Sequence, residues 1–130
     1  VQGPAVECTA EVVALTTGEF AYDGPMLRGL TGTMGLSAWL RIQGVNVVVV
    51  TSREQPYDMA FSRTLGIDCA TMKYICVKSA AHFRAAFEPI AGSIHNVDAA
   101  GIHTHTFDKL PHIKRTRPVF PVEIPPYWQL

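Results

Sequence analysis

The stretch LSAWLRIQGVNVVVVTS, residues 36–52, decides the predicted fold. Its first part, residues 36–42, places an apolar side chain at every second position, and this period of two indicates a β-strand. Gln43 and Gly44 predict a tight turn, after which VNVVVV forms a second strand. Because this second strand is rich in β-branched residues on both faces, we expect the rest of the fold to cover it on both sides.

Shorter alternating runs precede this hairpin. Residues 6–14 and 19–22 predict two strands joined by a turn in which Gly18 can take a positive φ. The Gly- and Thr-rich residues 26–34 predict a loop that crosses the surface. We therefore expect β-hairpins over residues 6–52.

Helical and extended patterns alternate after the hairpins. Residues 56–66 and 79–92 predict helices, whereas residues 73–78 and 93–99 predict strands. Right-handed crossovers would make residues 45–98 a β-α-β-α-β segment with a small parallel sheet. The predicted fold class is α/β with a small mixed sheet.

The C-terminal part of the chain, residues 99–130, has a different composition. Five of the nine prolines lie from Pro111 onward, and proline fixes φ and removes a backbone donor. We expect an extended, Pro-rich tail here that packs on other residues. The length of 130 residues is typical of one domain, so we expect residues 1–130 to form a single domain.

The composition argues against several classes of protein. Apolar residues make up 48 % of the chain and charged residues 17 %, a balance that disfavours intrinsic disorder. Eleven basic residues balance eleven acidic ones, so there is no electrostatic reason to expect a nucleic acid or an anionic membrane as partner. The longest apolar stretch, residues 47–50, is far shorter than the roughly 20 residues of a membrane helix.

The N-terminus and the cysteines bear on location. No signal peptide pattern is visible, and the three scattered cysteines predict free thiols in a reducing compartment, so we expect a cytoplasmic protein. Because the chain starts at Val1 rather than at Met, we also expect it to be a piece of a longer polypeptide.

The most informative polar cluster lies at the predicted strand-to-helix turn at residues 78–84. It contains Lys78, Ser79, His82 and Arg84, which together could hold a carboxylate or a phosphate at the carboxyl end of a strand. The alternative is that Ser79 only caps the helix and that the three basic side chains are solvated.

A second polar segment follows the predicted strand of valines. Ser52, Arg53 and Gln55 also lie at a carboxyl end, so we expect them in the same crevice as Lys78 and Ser79. The alternative is a polar loop with capping residues.

Two histidines invite a metal hypothesis. His103 and His105 would lie on one face of an extended chain, where two imidazoles could share an ion. A catalytic zinc needs a third protein ligand, for which the sequence offers only guesses, and the alternative is a pair of surface histidines. The sequence also lacks a P-loop, an HExxH motif and a GxSxG motif.

Five strings of this sequence match a known family. They are YDGPMLRGL (22–30), VVVVTSREQPYD (47–58), LGID (65–68), VKSAAHFRAAFEPIAG (77–92) and RPVFP (117–121). On these strings the chain resembles, over residues 6–121, the C-terminal domain of the MlrC-like proteins, the microcystin-degradation metallopeptidase family.

The resemblance implies a larger, N-terminal metal-binding domain on the same polypeptide. That domain would hold a zinc ion, and the whole protein would hydrolyse peptide or small amide substrates, such as the linearised microcystin of the founding enzyme. The present chain would not bind the zinc, but would form one wall of the cleft between domains.

The resemblance also places the polar residues beside that cleft. Lys78, Ser79, His82 and Arg84 would lie there, with the segment from Ser52 to Gln55 as neighbour, to hold the substrate or support the outer shell of the metal. His103 and His105 stand where the family more often has Thr or Pro, which weakens the metal hypothesis for that pair. A homodimer stays open, as does a different class of function, a non-catalytic ligand-binding or domain-interaction module.

Overall fold

The computed structural model describes residues 5–97, 106–124 and 126–128. Its contacts divide the chain into two compact units. One is Val6–Ile94, and the other consists of Val1–Ala5 together with His95–Leu130. Each unit is described by itself below, and the expectation of a single domain over residues 1–130 stays a prediction.

The first unit contains five strands in two antiparallel sheets. In chain order the strands are β1 (Glu11–Thr16), β2 (Glu19–Ala21), β3 (Thr31–Thr33), β4 (Ser37–Ile42) and β5 (Val45–Val50). The larger sheet has the order β1-β4-β5, and the smaller one pairs β2 with β3. The predicted hairpin over residues 36–52 is confirmed by the pairing of β4 with β5.

The tight turn between β4 and β5 has the predicted position. Gln43 and Gly44 have φ angles of 49° and 85°, and two positive φ angles match the twist that a two-residue hairpin requires. Gly18 also takes a positive φ of 82°, in the short turn between β1 and β2. Both positive φ angles at glycine could be predicted, because glycine adopts this region without a steric cost. The expected hairpin of residues 6–14 with 19–22 is wrong, since β1 pairs with β4 and β2 with β3. The predicted loop over 26–34 also contains β3, because a strand partner for it lies in β2.

One face of the larger sheet is entirely apolar. Residues that stand directly opposite each other in antiparallel strands point to the same side of the sheet. On this side β4 contributes Ala38, Leu40 and Ile42, and β5 contributes their partners Val49, Val47 and Val45. From β1, Leu15 pairs with Ala38 and Val12 pairs with Leu40. These eight residues are called the apolar face below.

The expectation that β5 is covered on both sides is wrong. Val45 and Val49 on the apolar face are 61 % and 47 % exposed, and Val48 on the other face is 38 % exposed. β5 is an edge strand of the sheet, so one row of its backbone groups also lacks a strand neighbour. The run of valines reflects β-propensity and does not report burial here.

The two α-helices are much shorter than predicted. They are α1 (Ala60–Arg63) and α2 (Arg84–Phe87), inside the predicted ranges 56–66 and 79–92. A 3-10 helix, Glu88–Ile90, follows α2 directly, because Pro89 has no N–H for a longer α-helix. Another 3-10 helix, Cys69–Thr71, follows α1.

The predicted β-α-β-α-β order over residues 45–98 is not found. Residues 73–78 and 93–97 form no strand, and the strand pairs of the described residues are all antiparallel. Alternation as in KYICVK gives a segment two faces, but a strand also needs a neighbour for its backbone hydrogen bonds. The combination of strands and helices therefore agrees with an α/β class only in a coarse sense.

The core of the first unit lies where the small sheet meets α1. Phe20, Tyr22, Met34, Ala60 and Phe61 form one buried cluster, and the side chain of Met34 is fully enclosed. A second, smaller cluster joins Cys69 to Ala86 and Phe87 of α2. The core is thus on one side of the larger sheet, and the apolar face lies outside it.

The second unit has no strand or α-helix among its described residues. It contains two 3-10 helices, Phe107–Lys109 and Pro126–Trp128. An ion pair joins Arg115 to Glu123, and the rings of Phe120 and Trp128 lie 5.3 Å apart. The expectation of an extended tail over 99–130 stays a prediction.

Candidate functional site

A contact between Gln55 and His82 brings the two predicted polar segments together. The ring nitrogen Nδ1 of His82 lies 3.1 Å from the side-chain oxygen Oε1 of Gln55. A carbonyl oxygen only accepts hydrogen bonds, so Nδ1 carries the proton and donates it. The neutral imidazole then presents Nε2 without a proton, as an acceptor toward any group that approaches from solvent.

Backbone hydrogen bonds hold Gln55 in place after β5. The amide of Ser52 donates to the carbonyl of Met34 at 2.9 Å, and the amide of Tyr57 donates to the carbonyl of Gln55 at 2.8 Å. The segment thus leaves β5 in a series of tight turns and returns toward the core at Tyr57. On the other side, the turn before α2 positions His82, and the amide of Arg84 donates to the carbonyl of Ala81 at 3.1 Å.

Ser79 does not cap a helix, so the capping alternative is wrong for this residue. The N-cap position of α2 is Phe83, and no side chain bonds to the helix there. The hydroxyl oxygen of Ser79 is buried and makes no hydrogen bond within the described part of the chain. A buried hydroxyl without a partner is costly, and it marks this turn as a place where a polar group could be received.

The basic residues of the two segments differ in their surroundings. Arg84 lies 3.5 Å from Glu88, one helical turn later, and its guanidinium stacks over the ring of Phe83 at 5.6 Å. Lys78 and Arg53 are both exposed to solvent. The positive charge at the turn is therefore partly engaged within α2 and partly free to meet an anion.

The residues of the described ranges do not fit a zinc site. Within them, no three His, Cys, Asp or Glu side chains lie close enough together to hold a metal ion. His103 and His105 lie outside the described residues.

A comparison with known families identifies the type of domain. The family model described as MlrC C-terminus matches residues 1–114. The chain belongs to the MlrC C-terminal family. The matched range includes both polar segments, whereas the RPVFP string at 117–121 lies beyond it. Comparisons with curated proteins and with solved structures gave no match.

No helix in the described residues of this MlrC C-terminal domain is both long and apolar enough to cross a membrane. A cytoplasmic location stays a prediction.

Sequence reasoning missed a cavity of about 300 Å³ in the first unit. It lies between the 23–28 loop, the start of α1 and the 85–89 segment. At this cavity the buried carboxylate of Asp58 accepts from the amides of Gly24 at 2.8 Å and Ala60 at 2.9 Å. Asp23 and Arg63 form an ion pair that also lines it. The DGP sequence at 23–25 is typical of a turn, and nothing in the spacing indicates that Asp58 would reach it.

Two tyrosines connect this loop to the polar segment after β5. The rings of Tyr22 and Tyr57 stack in nearly parallel planes, and their hydroxyl oxygens lie 3.2 Å apart. Burial raises the pKa of Tyr22 well above its ordinary value, and the hydrogen bond with Tyr57 adds to this effect. Tyr22 therefore stays protonated at any physiological pH.

Proposed function

We propose that this MlrC C-terminal domain belongs to a metallopeptidase that hydrolyses peptide or small amide bonds, and that it contributes substrate-binding side chains. The observation that carries the proposal is the contact between Gln55 and His82 in a chain that matches the family over residues 1–114. It joins the two segments in which the sequence places Ser52, Arg53, Lys78, Ser79 and Arg84.

The chemistry of these side chains suits a peptide substrate. The Nε2 atom of His82 accepts a hydrogen bond from a substrate N–H, because Gln55 holds the proton on Nδ1. Lys78 and Arg53 offer cations for a carboxylate group of the substrate. The hydroxyl of Ser79, which has no hydrogen bond in the described residues, is a donor for a substrate carbonyl.

The zinc ion of such an enzyme belongs, in this proposal, to an N-terminal domain of the same polypeptide. In this proposal the chain alone neither binds the ion nor is active.

A non-catalytic interaction module is the second candidate, and the exposed apolar face favours it. A binding role of that kind needs neither His82 nor a metal. The two candidates therefore differ in how they respond to changes at the polar segments.

The decisive experiment combines two preparations. The chain alone is assayed for bound zinc and for cleavage of linear peptides, and we expect neither. Stoichiometric zinc together with peptide cleavage would contradict the assignment of the zinc site to the N-terminal domain. A polypeptide that joins this chain to the metal-binding domain is then assayed with His82→Phe and Gln55→Leu. We expect kcat/KM to fall about 10- to 100-fold, mainly through KM.

Lys73→Ala is the matched control, because it removes an exposed basic side chain outside the two polar segments. Equal activity of the His82→Phe variant and the control would contradict the substrate-binding role and favour the interaction module.

A further inference from the structure

The apolar face of the larger sheet has no polar side chain at any of its eight positions. Four of its residues are strongly exposed: Leu15 by 75 %, Val45 by 61 %, Val12 by 58 % and Val49 by 47 %. Antiparallel sheets with one solvated face normally place polar residues on it. An aliphatic face without any polar residue is instead typical of a surface that another layer covers.

The opposite side of the same sheet carries polar side chains with hydrogen-bond or ion-pair partners, and it also contacts the core. There Arg41 pairs with Glu11 at 3.0 Å, and the indole nitrogen of Trp39 donates to Asn46 at 2.9 Å. Val50 on that side packs against the core cluster around Met34. The core and the polar groups thus occupy one side, and the apolar face is left for an external partner.

We propose that a second copy of this chain covers the apolar face, so that two larger sheets pack face to face around a two-fold axis. The face contains only Ala, Val, Leu and Ile, so it offers no hydrogen bond and no charge with which to recognise a polar partner. A second flat aliphatic surface is complementary to it, and the same face of a second copy has that property. Two sheets stack in this way about 10 Å apart with their strands roughly 30° from parallel.

The size of the face agrees with this occupant. The four strongly exposed residues present about 400 Å² and the four partly buried ones add to it, so the patch lies within the roughly 300–600 Å² that monomers expose. Two copies would bury on the order of 1,000 Å² together, the size from which a specific interface becomes possible. The net charge of zero means that no overall repulsion opposes the association.

The proposal does not depend on the proposed function, since neither His82 nor Gln55 is on the apolar face. Its test is the oligomeric state of the chain in solution, measured by light scattering and sedimentation from about 1 to 100 µM, a range that brackets a micromolar Kd. Reductant is present throughout, because Cys8 and Cys76 are exposed thiols that could join copies artificially. We expect a dimer whose fraction rises with concentration.

Val49→Lys is the decisive variant, and Val48→Lys is its matched control. Both change one valine of β5, but Val48 points to the opposite side of the sheet. A two-fold axis repeats each substitution in the interface, so Val49→Lys buries two ammonium groups and should weaken association at least about 100-fold. Val48→Lys should leave the dimer intact, and circular dichroism shows whether both variants are folded.

A measurement on the unchanged chain covers the case in which Val49→Lys does not fold. If dimerisation covers the face, the thermal midpoint of the unchanged chain rises with protein concentration. A chain that stays monomeric at about 100 µM, or open-ended oligomers in place of a dimer, would overturn the proposal. So would equal dissociation by Val48→Lys and Val49→Lys.

Discussion

The carboxylate oxygen Oδ2 of Asp58 accepts a hydrogen bond from the backbone amide of Gly24 at 2.8 Å. These residues are 34 positions apart, and the bond ties the loop after β2 to Asp58, two residues before α1. The other carboxylate oxygen accepts from Ala60 at 2.9 Å. Asp58 is only 2 % exposed, so removal of its carboxylate leaves two backbone amides without their buried acceptor.

Asp58→Ala should therefore lower the free energy of unfolding by about 3 kcal/mol, since two backbone amides lose a buried acceptor. Urea unfolding followed by circular dichroism measures the effect. Asp68→Ala is the matched control, because Asp68 also accepts from the amide two residues later, at Ala70, but in an exposed position. We expect about 1 kcal/mol for the control. Equal losses in the two variants would show that the bond to Gly24 contributes nothing.

A second prediction separates backbone strain from steric clash at glycine. Gly18 and Gly29 have φ angles of 82° and 86°, so alanine is equally strained at both. A Cβ on Gly18 would lie 2.0 Å from the carbonyl oxygen of Gly35, whereas a Cβ on Gly29 would meet nothing within 4 Å. Gly29→Ala should cost about 1 kcal/mol, the strain alone.

Gly18→Ala should cost at least about 3 kcal/mol or prevent folding, because a backbone oxygen cannot move aside as a side chain can. The two urea midpoints are compared at one pH and temperature. Similar midpoints would mean that the backbone of the turn between β1 and β2 shifts to accept the added Cβ at little cost. They would contradict the close approach of Gly18 to Gly35.

A third prediction concerns alkaline pH and Tyr22. Its phenol ionises near pH 10 in the unfolded chain, but burial raises its pKa in the folded protein. The unfolded state therefore loses this proton first, and the stability that the neutral phenol contributes is present below about pH 10 and is lost as the pH rises beyond it. Tyr22→Phe removes this titration, so its stability should fall less steeply between about pH 9 and 11.

The matched control is Tyr74→Phe, because Tyr74 is 80 % exposed. Urea midpoints at several alkaline pH values give the slopes of the three proteins. We expect the control to follow the unchanged chain, and a Tyr22→Phe slope equal to both would contradict the role of burial.

The parts of the fold that the sequence predicted are those set by neighbouring residues. The β4–β5 hairpin follows from the alternation before Gln43 and from the φ angles that Gln43 and Gly44 adopt. The failed expectations concern distant partners. Residues 73–78 can form a strand only if another strand lies beside them, and this depends on where distant parts of the chain fold. Their alternation of apolar and polar residues is the same with or without such a strand, so the sequence could not decide the question.

The candidate site divides in the same way. The strand end before Ser52 and the turn before α2 could be predicted from local signals. Gln55 and His82 bring the two segments into contact, and the expected crevice stays a prediction. The hydrogen bond between Asp58 and the amide of Gly24 could not be predicted from the sequence. Local capping already explains an aspartate just before a helix, so the residue type alone does not indicate a distant partner.

The last prediction concerns the tautomers of two histidines. His82 places Nδ1 beside the oxygen of Gln55 at 3.1 Å, whereas His112 places Nε2 beside the backbone oxygen of Phe107 at 2.7 Å. Both oxygens only accept, so the proton must be on Nδ1 in His82 and on Nε2 in His112. The two neutral imidazoles should therefore be opposite tautomers.

Nitrogen-15 NMR of the neutral imidazole rings distinguishes the two tautomers. In the unchanged chain we expect the Nδ1–H form to dominate for His82 and the Nε2–H form for His112. Gln55→Leu removes the acceptor of His82, so the His82 signals should move toward a mixture of the two forms while those of His112 stay unchanged. Identical His82 spectra with and without Gln55 would contradict the hydrogen bond between these two side chains. If it holds, the free Nε2 of His82 is available as the acceptor that the proposed substrate contact requires.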